Sequence, residues 1–171
     1  MLKTLKTTLV LATLSLFTSG AFAAEFWKGH TEARPLEAGL MSGMAIYGNH
    51  SNWSVLASGA YLLKDKAFVA DLDDRIWAEV QMGPSFFSTP ASTETGLQYS
   101  AHLRWDFSYN ELWTVYALGG FGGFGLPKSY GSSLTFHPRF GAGVEYQTKT
   151  ALLFRGEISA EFVGVGVALN F

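Results

Sequence analysis

Leu97-Gln98-Tyr99-Ser100-Ala101-His102-Leu103-Arg104-Trp105-Asp106-Phe107-Ser108-Tyr109 alternates without a break: its odd positions are apolar or aromatic and its even positions are polar or charged. A period of two sends successive side chains to opposite faces of a β-strand, whereas a helix would repeat near every 3.6 residues. The stretch is therefore read as one long strand with a wet face and a dry face. The same rule holds at the carboxyl end, where Val163, Val165, Val167, Leu169 and Phe171 alternate with Gly164, Gly166, Ala168 and Asn170. Between the two, Phe140, Ala142, Val144 and Tyr146 oppose Gly141, Gly143, Glu145 and Gln147, and Phe154, Gly156 and Ile158 oppose Arg155, Glu157 and Ser159. Fainter alternation at Leu36 to Tyr47, Trp53 to Leu63, Ile76 to Phe86 and Trp113 to Gly125 completes an expected set of eight strands.

Composition agrees with a β-rich chain. Of 171 residues, 48% are hydrophobic, 15% are charged and 19 are Gly, too apolar for a disordered chain and too Gly-rich for a helical bundle. A formal net charge of -2 supplies no basic field for nucleic acid, so a nucleic-acid partner is not expected. Cysteine is absent, which excludes disulfides, thiolate metal sites and a cysteine nucleophile. Residues 1–23 read as a secretory signal peptide, with Lys3 and Lys6, an apolar stretch from Thr7 to Phe17, and a small-x-small cleavage site at Ala21-Phe22-Ala23. Residues 24–171 are then one domain with a short amino-terminal arm. No later stretch has the ~18 consecutive apolar residues that a spanning helix requires.

Alternation alone leaves two barrels open, a soluble one with an apolar centre and a membrane one with an apolar exterior. Side-chain size separates them. The lumen of a closed eight-stranded barrel is narrow, and here the face rich in Gly, Ala and Ser is the polar one while the bulky rings share the apolar face. The expected architecture is an all-β, single eight-stranded antiparallel up-and-down transmembrane β-barrel. Its lumen would hold Glu37, Glu79, His102, Arg104, Asp106, Glu145, Arg155 and Glu157, where an Arg avoids the about 2–4 kcal/mol penalty of facing hydrocarbon and pairs with carboxylates to plug the barrel. Trp105, Phe107, Tyr109 and Trp113, gathered around a turn at Asn110-Glu111, are the expected membrane-interface aromatics.

These features together, with a last strand ending Gly166-Val167-Ala168-Leu169-Asn170-Phe171, resemble the small outer-membrane β-barrel proteins of Gram-negative bacteria, the class of the OmpA barrel, OmpX and OmpW. In that class the last strand carries an assembly pattern that Gly166, Leu169 and Phe171 match and Gly164, standing where a polar residue is usual, does not. The resemblance implies location in the outer membrane, insertion by the outer-membrane assembly machinery, and contact with outer-membrane lipids by a protein that acts as a monomer. It also implies that Asn110-Glu111 and Thr148 to Thr150 are periplasmic turns and Leu126 to Phe136 an outer loop. Counting strands then leaves a long periplasmic connection from Lys64 to Asp74 and short outer loops at Gly48 to Asn52 and Ala160 to Phe162.

Other chemistry is weaker. Asp71-Leu72-Asp73-Asp74 has carboxylates that suit calcium, but it lacks the Gly and distal Glu of an EF-hand loop and reads as a solvated loop. In the Gly119 to Gly125 run the Lys128-Ser129 pair follows Pro127, which has no amide to offer a phosphate, so the glycines are expected to let the strand bend and let rings pack on bare backbone. A lipid A deacylase would need His two residues before Ser, and none of His30, His50, His102 and His137 satisfies this. The expected function is thus a non-enzymatic envelope barrel without cofactor or metal, structural or passing small solutes. A lipid-modifying hydrolase and a soluble carrier of an apolar ligand are the alternatives.

Overall fold

The computed structural model describes residues 33–48, 50–69, 72–88 and 92–171, so the expected signal peptide and most of the expected amino-terminal arm lie outside the described residues. The strands are β1 (Leu36–Tyr47), β2 (His50–Asp65), β3 (Asp74–Ser88), β4 (Thr93–Ser108), β5 (Trp113–Gly125), β6 (His137–Gln147), β7 (Leu152–Ser159) and β8 (Phe162–Asn170). Each pairs antiparallel with its neighbours in chain order, and β8 returns to β1 from Glu37↔Asn170 to Ala45↔Phe162, closing the barrel. Closure leaves no unpaired edge to template aggregation.

β4 shows why this sequence folds this way. Gln98, Ser100, His102, Arg104, Asp106 and Ser108 are all buried, while Leu97, Ala101 and Leu103 face outward. The inside of the molecule is polar and its outside apolar, the reverse of a soluble barrel. Leu40, Val80, Met82, Phe140 and Val165 continue the outward apolar surface around the wall.

Strand order puts the carboxyl terminus at one end of the barrel with the ends of β2, β4 and β6, and the ends of β1, β3, β5 and β7 at the other. The expected turn at Asn110-Glu111 widens to 109–112, with Asn110 Oδ1 accepting the amides of Leu112 and Trp113, each at 2.9 Å. The long connection expected from Lys64 to Asp74 is shorter, because a register shift between Leu62 and Lys64 lets β2 run to Asp65 and pair with Arg75.

Two expectations about packing need correction. Rings are not confined to the outward face: Trp77, Tyr116, Phe87, Phe124 and Phe162 point inward and are buried. Phe87 and Phe124 join Ala45 and Leu126, flanked by Tyr47 and Tyr130, in an apolar cap at the end opposite the carboxyl terminus. Nor do rings fill the space over the Gly119 to Gly125 run as its main occupants. A Cβ at Gly120 would meet the Ala101 carbonyl at 2.4 Å, one at Gly122 the Glu161 carboxylate at 2.4 Å, and one at Gly123 the Thr135 carbonyl at 1.9 Å.

Candidate functional site

All eight charged residues assigned inward, Glu37, Glu79, His102, Arg104, Asp106, Glu145, Arg155 and Glu157, are buried in the lumen. β1 contributes Glu37, β3 Glu79, β4 His102, Arg104 and Asp106, β6 Glu145, and β7 Arg155 and Glu157. Alternation on five separate strands therefore converges on one axis.

Arg104 is the hub. Its Nη1 and Nη2 donate to Glu37 at 3.0 and 2.9 Å, its Nε and Nη2 donate to Asp106 at 2.9 and 3.2 Å, and Nη1 also reaches Glu79 at 3.1 Å and Glu145 at 2.9 Å. A planar guanidinium can serve two carboxylates with paired bonds in this way, and an ammonium cannot. Arg155 donates to both oxygens of Glu79 at 2.8 and 2.9 Å and from Nε to the Tyr116 hydroxyl at 3.0 Å. The Tyr116 ring lies within 5.4 Å of the Arg104 guanidinium and 4.9 Å of that of Arg155, a cation–π contact that supplements the ion pairs. Gly143 makes room for that ring, since a Cβ there would stand 2.1 Å from it.

The network contains residues that the sequence reading did not name. Arg139 donates to the Gln81 side-chain oxygen at 2.9 Å and pairs closely with Glu157 and Ser100. Gln81 donates to Glu79 at 2.8 Å and to Glu157 at 3.2 Å, linking the Arg139 group to the Arg155 group. Arg139 shares its parity with Gly141, Gly143 and Glu145, so alternation alone places it inward, one residue before the apolar set that begins at Phe140. His102 departs from the rest: its Nε2 lies 3.8 Å from Glu79, within ion-pair range but too far for a hydrogen bond, and neither ring nitrogen has a hydrogen-bond partner among the described residues.

At the capped end, His137 contacts Glu161, and Arg139 reaches the same carboxyl at 3.3 Å. Burial of Glu161 in the β7–β8 connection pushes its carboxyl up to about 7, a rise that Arg139 opposes and Glu157 reinforces. The hydrogen bonds made by the hydroxyls of Ser42, Ser54, Ser100, Ser129 and Ser159 involve no histidine.

The remaining candidates take structural places. Asp71 lies outside the described residues. Asp73 pairs with Arg75 at 3.0 Å, and Asp74 accepts the amides of Ala67 and Phe68 at 2.9 and 3.0 Å and the Trp105 indole at 2.9 Å. Trp105 and Phe107 pack on each other 4.8 Å apart, Trp113 packs on Tyr146 at 4.8 Å, and Tyr109 opens the turn near the carboxyl-terminal end. Leu169 in β8 and Phe171 just beyond it are exposed, whereas Gly166 is a packing requirement, because a Cβ there would lie 2.3 Å from the Leu40 carbonyl.

No family model and no curated protein matches this chain. Among solved structures, the chain is similar to Ail, the attachment invasion locus protein of Yersinia pestis, at 13% identity and a TM-score of 0.49 over 82% of this chain and 100% of that one. Ail in complex with the heparin analogue sucrose octasulfate gives 14% identity and the same TM-score. Neisserial surface protein A gives 15% identity and a TM-score of 0.49 over 80% of this chain and 96% of that one. The barrel assignment rests on the strand pairing described above.

Proposed function

We propose that this chain is a non-enzymatic outer-membrane barrel with a structural role in the envelope, its apolar wall in contact with lipid and its lumen plugged by paired charges. The observation that carries this reading is the inverted interior: Arg104 and Arg139 are 0% exposed on the axis while Leu103 and Phe140 are 53% and 65% exposed on the wall. Two guanidinium groups at the centre of a narrow barrel occupy the space an ion would need, and the apolar cap closes the end beyond them. The plug is favoured over solute passage for the same reason. The outward rings toward the carboxyl-terminal end suit a membrane interface, and β8 with the Phe171 that follows it, Leu169 and Phe171 both exposed, suits recognition by the assembly machinery. A closed sheet needs no second copy to complete it, which favours a monomer.

The test is a planar-bilayer recording on the refolded barrel. The expected result is a protein that resists carbonate extraction, shifts in gel mobility on heating, and gives no unitary conductance. Steady unitary openings would overturn the plug, and release by carbonate would overturn the membrane reading itself.

A further inference from the structure

The outer wall carries a furrow that the barrel's own packing does not require. Its floor crosses β1 to β5 at Ala38, Gly59, Ala78, Ala101 and Gly119. A Cβ at Gly59 would meet nothing within 4 Å, and one at Gly119 would meet only the Phe140 ring, at 3.7 Å. Gly43 and Gly83 are different, because a Cβ there would stand 2.2 and 1.9 Å from a backbone carbonyl. Neither Gly59 nor Gly119 has a positive φ. Glycine weakens a strand and is normally kept where backbone or ligand comes close. At these two positions the protein supplies no close neighbour, so the space is open to something outside.

The rim beside the furrow says what fits it. Tyr61, Ala78, Leu103 and Gly119 pair in one transverse row, and Lys64, Ile76 and Trp105 form the row at the carboxyl-terminal end of it, about 7 Å further along the strands. Lys64 Nζ lies 4.7 Å over the Phe68 ring, which is 71% exposed and meets Trp105 edge-on at 5.9 Å. Asp74 fixes this corner by holding both the Phe68 amide and the Trp105 indole. On the adjoining strand end, Arg34 donates to the Asn170 carbonyl at 2.9 Å next to Pro35, whose carbonyl takes the Leu62 amide. Arg75 engages the carboxylates of Asp65 and Asp73, whereas Lys64 lies over the Phe68 ring and Arg34 on the Asn170 carbonyl, so these two are the cations of the rim that no carboxylate among the described residues holds.

We propose that furrow and rim form a binding site for one anionic phospholipid, with an acyl chain in the furrow and the phosphate against Lys64 and Arg34. This rests on the reading that the wall faces a bilayer. Strands of such a barrel tilt by roughly 40°, so a furrow crossing them runs partly along the bilayer normal, as an acyl chain does. The aromatic pair of Phe68 and Trp105 sits at headgroup level beside the cation.

The test inserts the barrel into vesicles of phosphatidylcholine with phosphatidylglycerol and measures, by spin label on each lipid in turn, the fraction held by the protein. The wild type is expected to hold phosphatidylglycerol in preference to phosphatidylcholine. Lys64→Gln should lower that preference roughly fivefold, and Gly59→Leu, whose Cβ enters space with no neighbour within 4 Å, should lower the held fraction of phosphatidylglycerol with Lys64 intact. Equal retention of the two lipids by an inserted wild-type barrel, or a preference unmoved by both variants, overturns the site and leaves the membrane reading standing. A barrel that fails to insert overturns both.

Discussion

At Arg104 one side chain holds four carboxylates apart. Removing it leaves Glu37, Glu79, Asp106 and Glu145 buried beside one another, and breaking a buried ion pair by deleting one partner costs about 3–5 kcal/mol. Arg104→Ala is expected to lower the denaturant midpoint of the vesicle-inserted barrel accordingly, and Arg104→Lys to recover little of it, since an ammonium lacks the fork that serves Glu37 and Asp106 together; a midpoint unchanged in both would refute the hub. Glu161 makes a different forecast. Its carboxyl lies above the ordinary range, so the fold favours the neutral acid, and that contribution is complete below about 4.5 and lost as pH rises through about 7. The stability difference between wild type and Glu161→Gln should therefore change across that interval, with the wild type losing relative stability as pH rises. A pH-independent difference would show that Glu161 does not carry the effect.

The legibility of single strands depended on whether a strand meets two unlike environments. β4 does, at every position from Leu97 to Ser108, and its orientation could be read from the residues alone. β3 and β5 were harder because an inward ring satisfies either face: Trp77 and Tyr116 look like wall residues until the guanidinium groups beneath them and the slot at Gly143 are seen. Pairings such as Arg104 with Glu37 depend on barrel closure and could not be assigned from spacing along the chain. The connection after β2 illustrates the same limit, because Asp74 reads as a loop acid and acts as the acceptor that shapes the loop. Asp74→Ala should leave the amides of Phe68 and Val69 without their acceptor, at about 1–3 kcal/mol of local stability, while the Ala67 amide keeps the Asp74 backbone carbonyl. Amide hydrogen exchange at residues 68 and 69 is expected to accelerate while that of β6 stays slow; uniform behaviour of the two regions would contradict the anchoring role.

Across the whole molecule, the architecture and the sign of its interior were legible, while the lumen's full membership was not. Closure is what turns eight separate alternations into one axis, and it also brings in Arg139, Gln81 and Tyr116 as partners. The wall produced by closure is uneven. β2, β3 and β4 have 16, 15 and 16 residues, whereas β7 and β8 have 8 and 9. At about 3.3 Å per residue and roughly 40° of tilt, the short side rises about 20 Å and the tall side about 40 Å. An apolar band in such a membrane is about 25 Å tall. With the wall in lipid as proposed, lipid beside β7 and β8 would stretch less than lipid beside β3, and the mismatch would be relieved by pinching the bilayer on one flank or by leaning the whole cylinder toward it. A barrel of this shape would then be a local defect in membrane thickness, and it would gather where the sheet of lipid is already thin.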